Sequence, residues 1–167
     1  MTLPHILLLN GPAGVGKTSV SEELVSLSPA SVCIHGDTLR SFTTCDAREF
    51  LGGGSTYRAA AALSTAYLDM GARRVIFEYI FENPAHVETF KRAAKLGVPI
   101  HLVTLWAPFS VVQARESHRR DREHLGPRVE ACYRTMEMHL DQLGIIVRTA
   151  NLSPLQVAAS IHALKIG

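Results

Sequence analysis

An apolar run from His5 to Asn10 leads directly into Gly11-Pro12-Ala13-Gly14-Val15-Gly16-Lys17-Thr18, and behind it Val20, Leu24 and Leu27 fall at helical spacing. A strand, a glycine-rich GxxxxGK[ST] loop and a helix in that order tie the chain to a sheet whose first crossover carries a phosphate site. The chemistry explains the residue types. Glycines let successive backbone N–H groups turn toward one anion, the lysine adds a point charge for the outer phosphates, and the threonine hydroxyl can ligate Mg²⁺. The helix N-terminus adds its own positive end. Gly11, Ala13, Gly14, Val15, Gly16, Lys17, Thr18 and Ser19 are therefore the candidate nucleotide-binding residues, with Thr18 the candidate metal ligand and Lys17 also a candidate catalytic group. A bare glycine-rich turn would need neither the strand before it nor the helix after it.

The rest of the chain repeats the alternation of short apolar runs with longer stretches of three- and four-residue apolar spacing, the pattern of a parallel sheet covered by helices. His5 to Asn10, Ser31 to His35, Arg74 to Glu78, Pro99 to Leu105 and Gly144 to Arg148 read as strands, mostly continuous apolar runs as burial on both faces demands. One helix runs from Asn83-Pro84 to Gly97, and another from Arg128 to Leu143 on the stripe Val129, Tyr133, Met136, Leu140 and Leu143. The last begins at Ser153-Pro154, with Gln156 placed for a capping box and a stripe of Leu155, Ala158, Ile161 and Leu164. There is no internal repeat and no linker, so residues 1–167 read as a single α/β domain. Gly52-Gly53-Gly54-Ser55 is too short to separate two cores and reads as a flexible loop.

Composition removes several classes. At 47% hydrophobic residues and a net charge of +2 the chain is neither disordered nor a bulk nucleic-acid binder. Its longest apolar stretch, Val98 to Val112, is broken by Pro99, His101 and Pro108, short of the roughly 18 residues a membrane span needs. The first basic residue is Lys17 and no signal peptide is indicated. Cys33, Cys45 and Cys132 are odd in number and form no CxxC pair, so reduced thiols in the cytoplasm are expected. The 8 histidines show no zinc spacing.

Three further regions carry candidate chemistry. Arg115, Arg119, Arg120, Arg122 and Arg128 fall within fourteen residues. If the helix beginning near Pro108 continues that far, Arg115, Arg119 and Arg122 share one face, and guanidinium forks suit the oxygens of a transferring phosphoryl group. An arginine lid over residues 115–128 is the functional reading; a solvated face paired with Glu116, Asp121 and Glu123 is the bland one. Beyond the second strand, Asp37 can take or orient an acceptor hydroxyl proton and Arg40 can hold an anionic or polar part of the acceptor; Asp37 equally suits a helix N-cap. Glu78 ends the third strand, where a carboxylate holds Mg²⁺ through water, contacts substrate, or simply faces solvent. The segment from Thr43 to Arg58 has no clear period and reads either as a plain surface loop or as part of a substrate-recognition insert over residues 40–58, which makes Arg58 a candidate acceptor contact.

On these residues the chain resembles the P-loop small-molecule kinases, in the branch similar to chloramphenicol phosphotransferase and AAA-type P-loop kinases. Gly11 to Thr18 matches that family's phosphate loop, the Asp37 segment resembles its strand-end base, and Arg115 to Arg122 resembles its arginine-rich lid. The turn from Val147 to Pro154 looks like the one that borders adenine, which implies nucleotide contacts for Thr149 and Asn151. Glu78 stands near the position where the family usually carries Asp. The resemblance implies a three-layer P-loop NTPase fold, nucleotide-kinase-like, with sheet order 2-3-1-4-5, and ATP with Mg²⁺ as donor.

The expectation is an ATP-dependent phosphotransferase acting on a hydroxyl of a small molecule, antibiotics among the candidates. Lys17, Asp37, Arg115, Arg119 and Arg122 are the catalytic candidates, and Asp37, Arg40, Arg58 and Glu78 the substrate-binding ones. Two alternatives remain open: a kinase for nucleosides, nucleotides or a nucleic-acid 5′-hydroxyl, and a regulatory P-loop NTPase that transfers nothing. Nucleic acid is otherwise an unexpected partner, since the basic segment has few aromatic residues to stack bases. The oligomeric state is not legible in the sequence.

Overall fold

All six residues of β1 (His5–Asn10) are buried, as an uninterrupted apolar run requires of a strand covered on both faces. A computed structural model describes residues 3–118 and 126–164. After β1 come α1 (Lys17–Ser26), β2 (Ser31–His35), α2 (Gly36–Ser41), α3 (Cys45–Leu51), α4 (Ser55–Asp69), β3 (Arg74–Glu78) and α5 (Pro84–Ala93). Then follow β4 (Ile100–Trp106), α6 (Phe109–Ser117), α7 (Pro127–Met138), a 3₁₀ turn at Leu140–Gln142, β5 (Ile145–Arg148) and α8 (Pro154–Ala163).

The strands form one sheet in the order β2-β3-β1-β4-β5, with every pairing parallel. The step from β1 to β2 moves one way across the sheet, and the steps from β2 to β3 and from β3 to β4 move the other way. Right-handed crossovers therefore place α1 on one face and α4 and α5 on the opposite one. The packing agrees, with α1 against α8 and α4 against α5. Leu24, Phe77, Phe90 and Met136 are fully buried between the layers, and the Phe77 and Phe90 rings stack at 5.5 Å. Register brings His35 and Leu9 opposite Glu78, and Asn10 opposite Thr104, so the polar residues at the strands' carboxyl ends line up along one edge. That edge is where an open parallel sheet binds its ligand.

Several boundaries differ from expectation. The stretch from Thr43 to Arg58, expected to lack regular structure, contains α3 and the start of α4. Thr44 caps α3 by accepting from the Ala47 amide, yet α3 buries nothing, so it has no apolar stripe to read. Asp37 is not an N-cap: α2 begins at Gly36 with His35 in the capping position, and Asp37 sits in its first turn. Helix α6 closes at Ser117. Helix α7 stops at Met138, short of Leu143, and α5 stops at Ala93. The capping box at Ser153 and Gln156 is formed as expected.

At the opposite edge, His5 donates from Nδ1 to the Leu3 carbonyl at 3.0 Å and accepts at Nε2 from Arg74 Nε at 3.1 Å, an arrangement only the neutral ring can make. Burial holds His5, His86 and His101 below the usual histidine range, and the Arg74 guanidinium reinforces this at His5. A depressed pKa contributes stability that is complete above about pH 6.5 and is lost as pH falls through the folded value. The melting temperature is therefore expected to fall as the pH is lowered from about 7.5 to about 5.5. His5→Gln should flatten that slope, and a wild-type melting temperature unchanged across the interval would remove these histidines from the acid response.

Candidate active site

The loop between β1 and α1 owes its course to glycine. Gly11, Gly14 and Gly16 all have positive φ, and a Cβ on Gly14 would lie 2.5 Å from the Val112 carbonyl of α6. The loop is thus wrapped closely against α6, and α1 starts from Gly16 with no side chain capping its first turn. Lys17 reaches back to the loop's own carbonyls, donating from Nζ to Gly11 at 2.8 Å and Pro12 at 3.1 Å. Asn10, fully buried, fixes the loop's origin: its Oδ1 accepts from the Gly11 amide at 2.7 Å and the Phe81 amide at 2.8 Å.

Across from the loop stands the end of β3. Glu78 is 6% exposed and accepts at Oε1 from Thr18 Oγ1 at 3.3 Å, with His35 Nδ1 at 3.1 Å on the same oxygen. A threonine hydroxyl beside a buried carboxylate at a strand end can hold a divalent cation, one group as ligand and the other directly or through water. Gly36 has no room for a Cβ because the Tyr79 ring fills the space, and this contact seats the first turn of α2 at the cleft. Asp37 and Arg40, three residues apart on α2, both line the cleft. Asp37 has no hydrogen-bond or ion-pair partner among the described residues.

The resulting cleft encloses about 550 Å³ and brings together Lys17, Thr18, Asp37, Arg40, Glu78 and Arg115. It also gathers Tyr57, from the expected substrate-recognition insert, together with Glu22, Tyr79, Ile80 and Glu82, for which the sequence offered no expectation. Tyr79 and Glu82 directly follow a strand end, a positional signal that could have marked them. Tyr57 comes from α4, donates to the Ile80 carbonyl at 2.7 Å and stacks on His86. Ala13, Gly14, Gly16 and Ser19 line the same cleft, whereas Val15 is buried under the loop.

Arg115, on α6, donates from Nη1 to the Val15 carbonyl at 3.2 Å and from Nη2 to the Thr149 and Ala150 carbonyls at 3.5 and 3.4 Å. One guanidinium so joins the phosphate loop to the turn after β5. Thr149 is buried there with its Oγ1 unpaired, and Asn151 is exposed. Arg119 and Arg122 lie outside the described residues, as does the middle of the expected lid. Arg58 is directed elsewhere than expected: its guanidinium binds the Leu51 carbonyl at 2.8 Å and the Gly53 carbonyl at 3.2 Å, bracing the glycine loop instead of entering the cleft. Burial pushes the Cys33 thiol up to about 11 and the Cys132 thiol up to about 12, so both stay protonated at neutral pH.

The donor set fits a triphosphate with its cation: a loop whose glycines take positive φ ahead of the uncapped start of α1, a lysine held over the loop by that loop's own carbonyls, and a hydroxyl facing a buried carboxylate. Among the described residues there is no cluster of three or more His, Cys, Asp or Glu side chains able to hold a metal ion alone. No helix among them is long and apolar enough to cross a membrane.

A family model described as an AAA domain matches residues 6–143. No curated protein matches the chain. Among solved structures, a sugar kinase from Janibacter sp. HTCC2649 superposes with a TM-score of 0.72 at 17% identity, covering 99% of this chain and 96% of that one. The tunicamycin resistance protein of Deinococcus radiodurans gives 0.69 at 23% identity, covering 96% of this chain and 94% of the other. A gluconokinase from Sinorhizobium meliloti 1021 gives 0.64 at 16% identity over 99% of this chain and 93% of that one. The shared property is the P-loop kinase fold.

Proposed function

The chain belongs to the AAA-domain family, and from that premise and the cleft geometry we propose that it is an ATP-dependent phosphotransferase acting on a hydroxyl of a small molecule. One observation carries the reading: a carboxylate without a partner among the described residues, Asp37, shares a single cleft with Lys17 and Thr18 of the phosphate loop. A phosphate loop alone serves binding or hydrolysis. A free carboxylate beside it supplies what transfer to an alcohol needs in addition, a group to orient the nucleophile and take its proton. Kinases of sugars and gluconate among the structural neighbours support the same class.

In this reading the loop amides and Lys17 bind the phosphates, and Thr18 with Glu78 would hold a Mg²⁺, whose charge would offset that of the outer phosphates. The acceptor oxygen forms a bond to the γ-phosphorus as the bond from that phosphorus to the bridging oxygen breaks. ADP departs with that oxygen, and the hydroxyl proton passes to the Asp37 carboxylate. Arg115 braces the phosphate loop from the side of the expected lid, and Thr149 and Asn151 border the base.

The test is Mg²⁺-dependent ATP consumption with and without hydroxylated acceptors spanning antibiotics, nucleosides, sugars, hydroxy acids and an oligonucleotide. Turnover that appears with one acceptor class and falls about 10²–10³-fold in Lys17→Ala is the expected result. Turnover indifferent to every acceptor yet lost in Lys17→Ala would reassign the chain to regulatory hydrolysis.

A further inference from the structure

Beside the cleft lies a second cavity of about 230 Å³, whose walls include Arg40, Arg48, Ser55, Tyr57 and Tyr79. Arg40, Tyr57 and Tyr79 line both spaces, so the cavity continues the cleft on the side of α2 and α3. Asp37 faces the cleft and Arg40, one turn along the same helix, stands where the two spaces meet.

The charges around this cavity are unbalanced. Its lining holds two guanidinium groups and no carboxylate. Among the described residues Arg40 has no ion-pair partner, and Arg48 donates to the Cys45 sulfur at 3.0 Å without an ion-pair partner. Arg58, next to the cavity, is by contrast engaged, bracing the loop through the Leu51 and Gly53 carbonyls. The first turn of the 15-residue helix α4 also lines the cavity, and no side chain caps it, which adds a like-signed field. Two arginines lining one recess whose walls hold no carboxylate suit a carboxylate or phosphate.

We propose that this cavity is the anion-binding half of the acceptor site: the acceptor carries a carboxylate or phosphate, seated by Arg40 and Arg48, together with the hydroxyl presented to Asp37. The proposal rests on the phosphotransferase reading and narrows it. Arg40 and Arg48 bind and position, and take no part in the proton or phosphoryl transfer. The acceptor class is thus hydroxy acids and phosphorylated alcohols, and neutral polyols or neutral antibiotics bind without the anchoring contact.

The test pairs acceptors that differ only in charge: sugar acids against the matching sugar alcohols, and nucleoside 3′-phosphates against the nucleosides. The anionic member of at least one pair is expected to have a KM at least about tenfold lower than its neutral partner. Arg48→Gln should raise that KM about tenfold or more with kcat little changed and leave the neutral partner's KM where it was. Arg48→Lys should recover part of the loss. Whichever pair responds separates carboxylate from phosphate. Neutral acceptors used as well as their anionic partners, with Arg48→Gln silent, would overturn the anion site and leave the phosphotransferase reading standing. ATP turnover that no acceptor stimulates would sink that reading and the acceptor role with it. A direct readout is inorganic phosphate titrated into protein saturated with Mg²⁺ and a non-hydrolysable ATP analogue: binding that Arg48→Gln weakens supports the cavity as an anion site, and binding insensitive to Arg40→Gln and Arg48→Gln counts against it.

Discussion

Asp37→Asn is expected to lower kcat for phosphoryl transfer by roughly 10²–10⁴-fold, the range a positioned general base contributes, while nucleotide affinity stays close to wild type. On the energy scale that is about 2.7–5.5 kcal/mol of lost transition-state stabilisation. The residue is well suited to such a test because the fold does not depend on its carboxylate. It is exposed in the first turn of α2, makes no cap bond, and has no ion-pair partner among the described residues. Its negative charge near the N-terminus of α2 contributes about 0.3–1 kcal/mol, so the melting temperature should fall by no more than about 4 °C. The measurement is steady-state transfer to the preferred acceptor, with a fluorescent ATP analogue to follow nucleotide binding and a melting curve beside them. Turnover within a few-fold of wild type would take the base role away from Asp37 and leave orientation of the acceptor to other groups.

How much of this could be read before any coordinates depended on whether the cause was local. The phosphate loop was legible because converging backbone N–H groups demand glycine within a few residues, and Gly11, Gly14 and Gly16 all adopt the positive φ that this requires. The strands were legible because double-sided burial leaves continuous apolar runs, and the last helix because its capping box lies within four residues. Helix α3 was not, since a helix that buries nothing has no period, and its Thr44 cap is a weak signal alone. Within the site, Asp37, Arg40 and Glu78 could be placed by the rule that ligands gather at the carboxyl ends of strands. Arg58 was placed by the rule that loops on a rigid scaffold carry recognition, yet the loop it follows leaves the Leu51 and Gly53 carbonyls in need of a donor, and the guanidinium satisfies them. Tyr57 fell within the expected insert over residues 40–58, but its contacts could not be read, because its partners, Ile80 and His86, lie beyond the next strand.

Replacement of Asn10, which the sequence marked only as the end of a strand, is expected to be costly. Asn10 is fully buried at the end of β1 and makes four bonds: it accepts from the Gly11 and Phe81 amides and donates from Nδ2 to the Phe81 carbonyl at 3.1 Å and Thr104 Oγ1 at 3.0 Å. Thr104 Oγ1 passes the chain on, donating to the Leu143 carbonyl at 2.6 Å. One amide thereby ties the phosphate loop, the segment after β3 and β4 to one another. Asn10→Ala strands the Gly11 amide and both backbone groups of Phe81 in a dry site, each worth about 1–3 kcal/mol when left unmade. Partial relaxation lowers the sum, and a loss of about 3–5 kcal/mol, or about 10–15 °C in melting temperature, is expected. Thr104→Val keeps three of the four Asn10 bonds and should cost about 1–2 kcal/mol. Activity should suffer below the melting point as well, because Phe81 anchors the stretch from Tyr79 to Glu82 that walls the cleft. Thermal melts of both variants, with ATP turnover measured at 20 °C, check this. An Asn10→Ala protein melting within about 3 °C of wild type would mean that water or a shifted backbone serves the Gly11 and Phe81 groups equally well, and that the loop holds its shape through glycine and Lys17 alone.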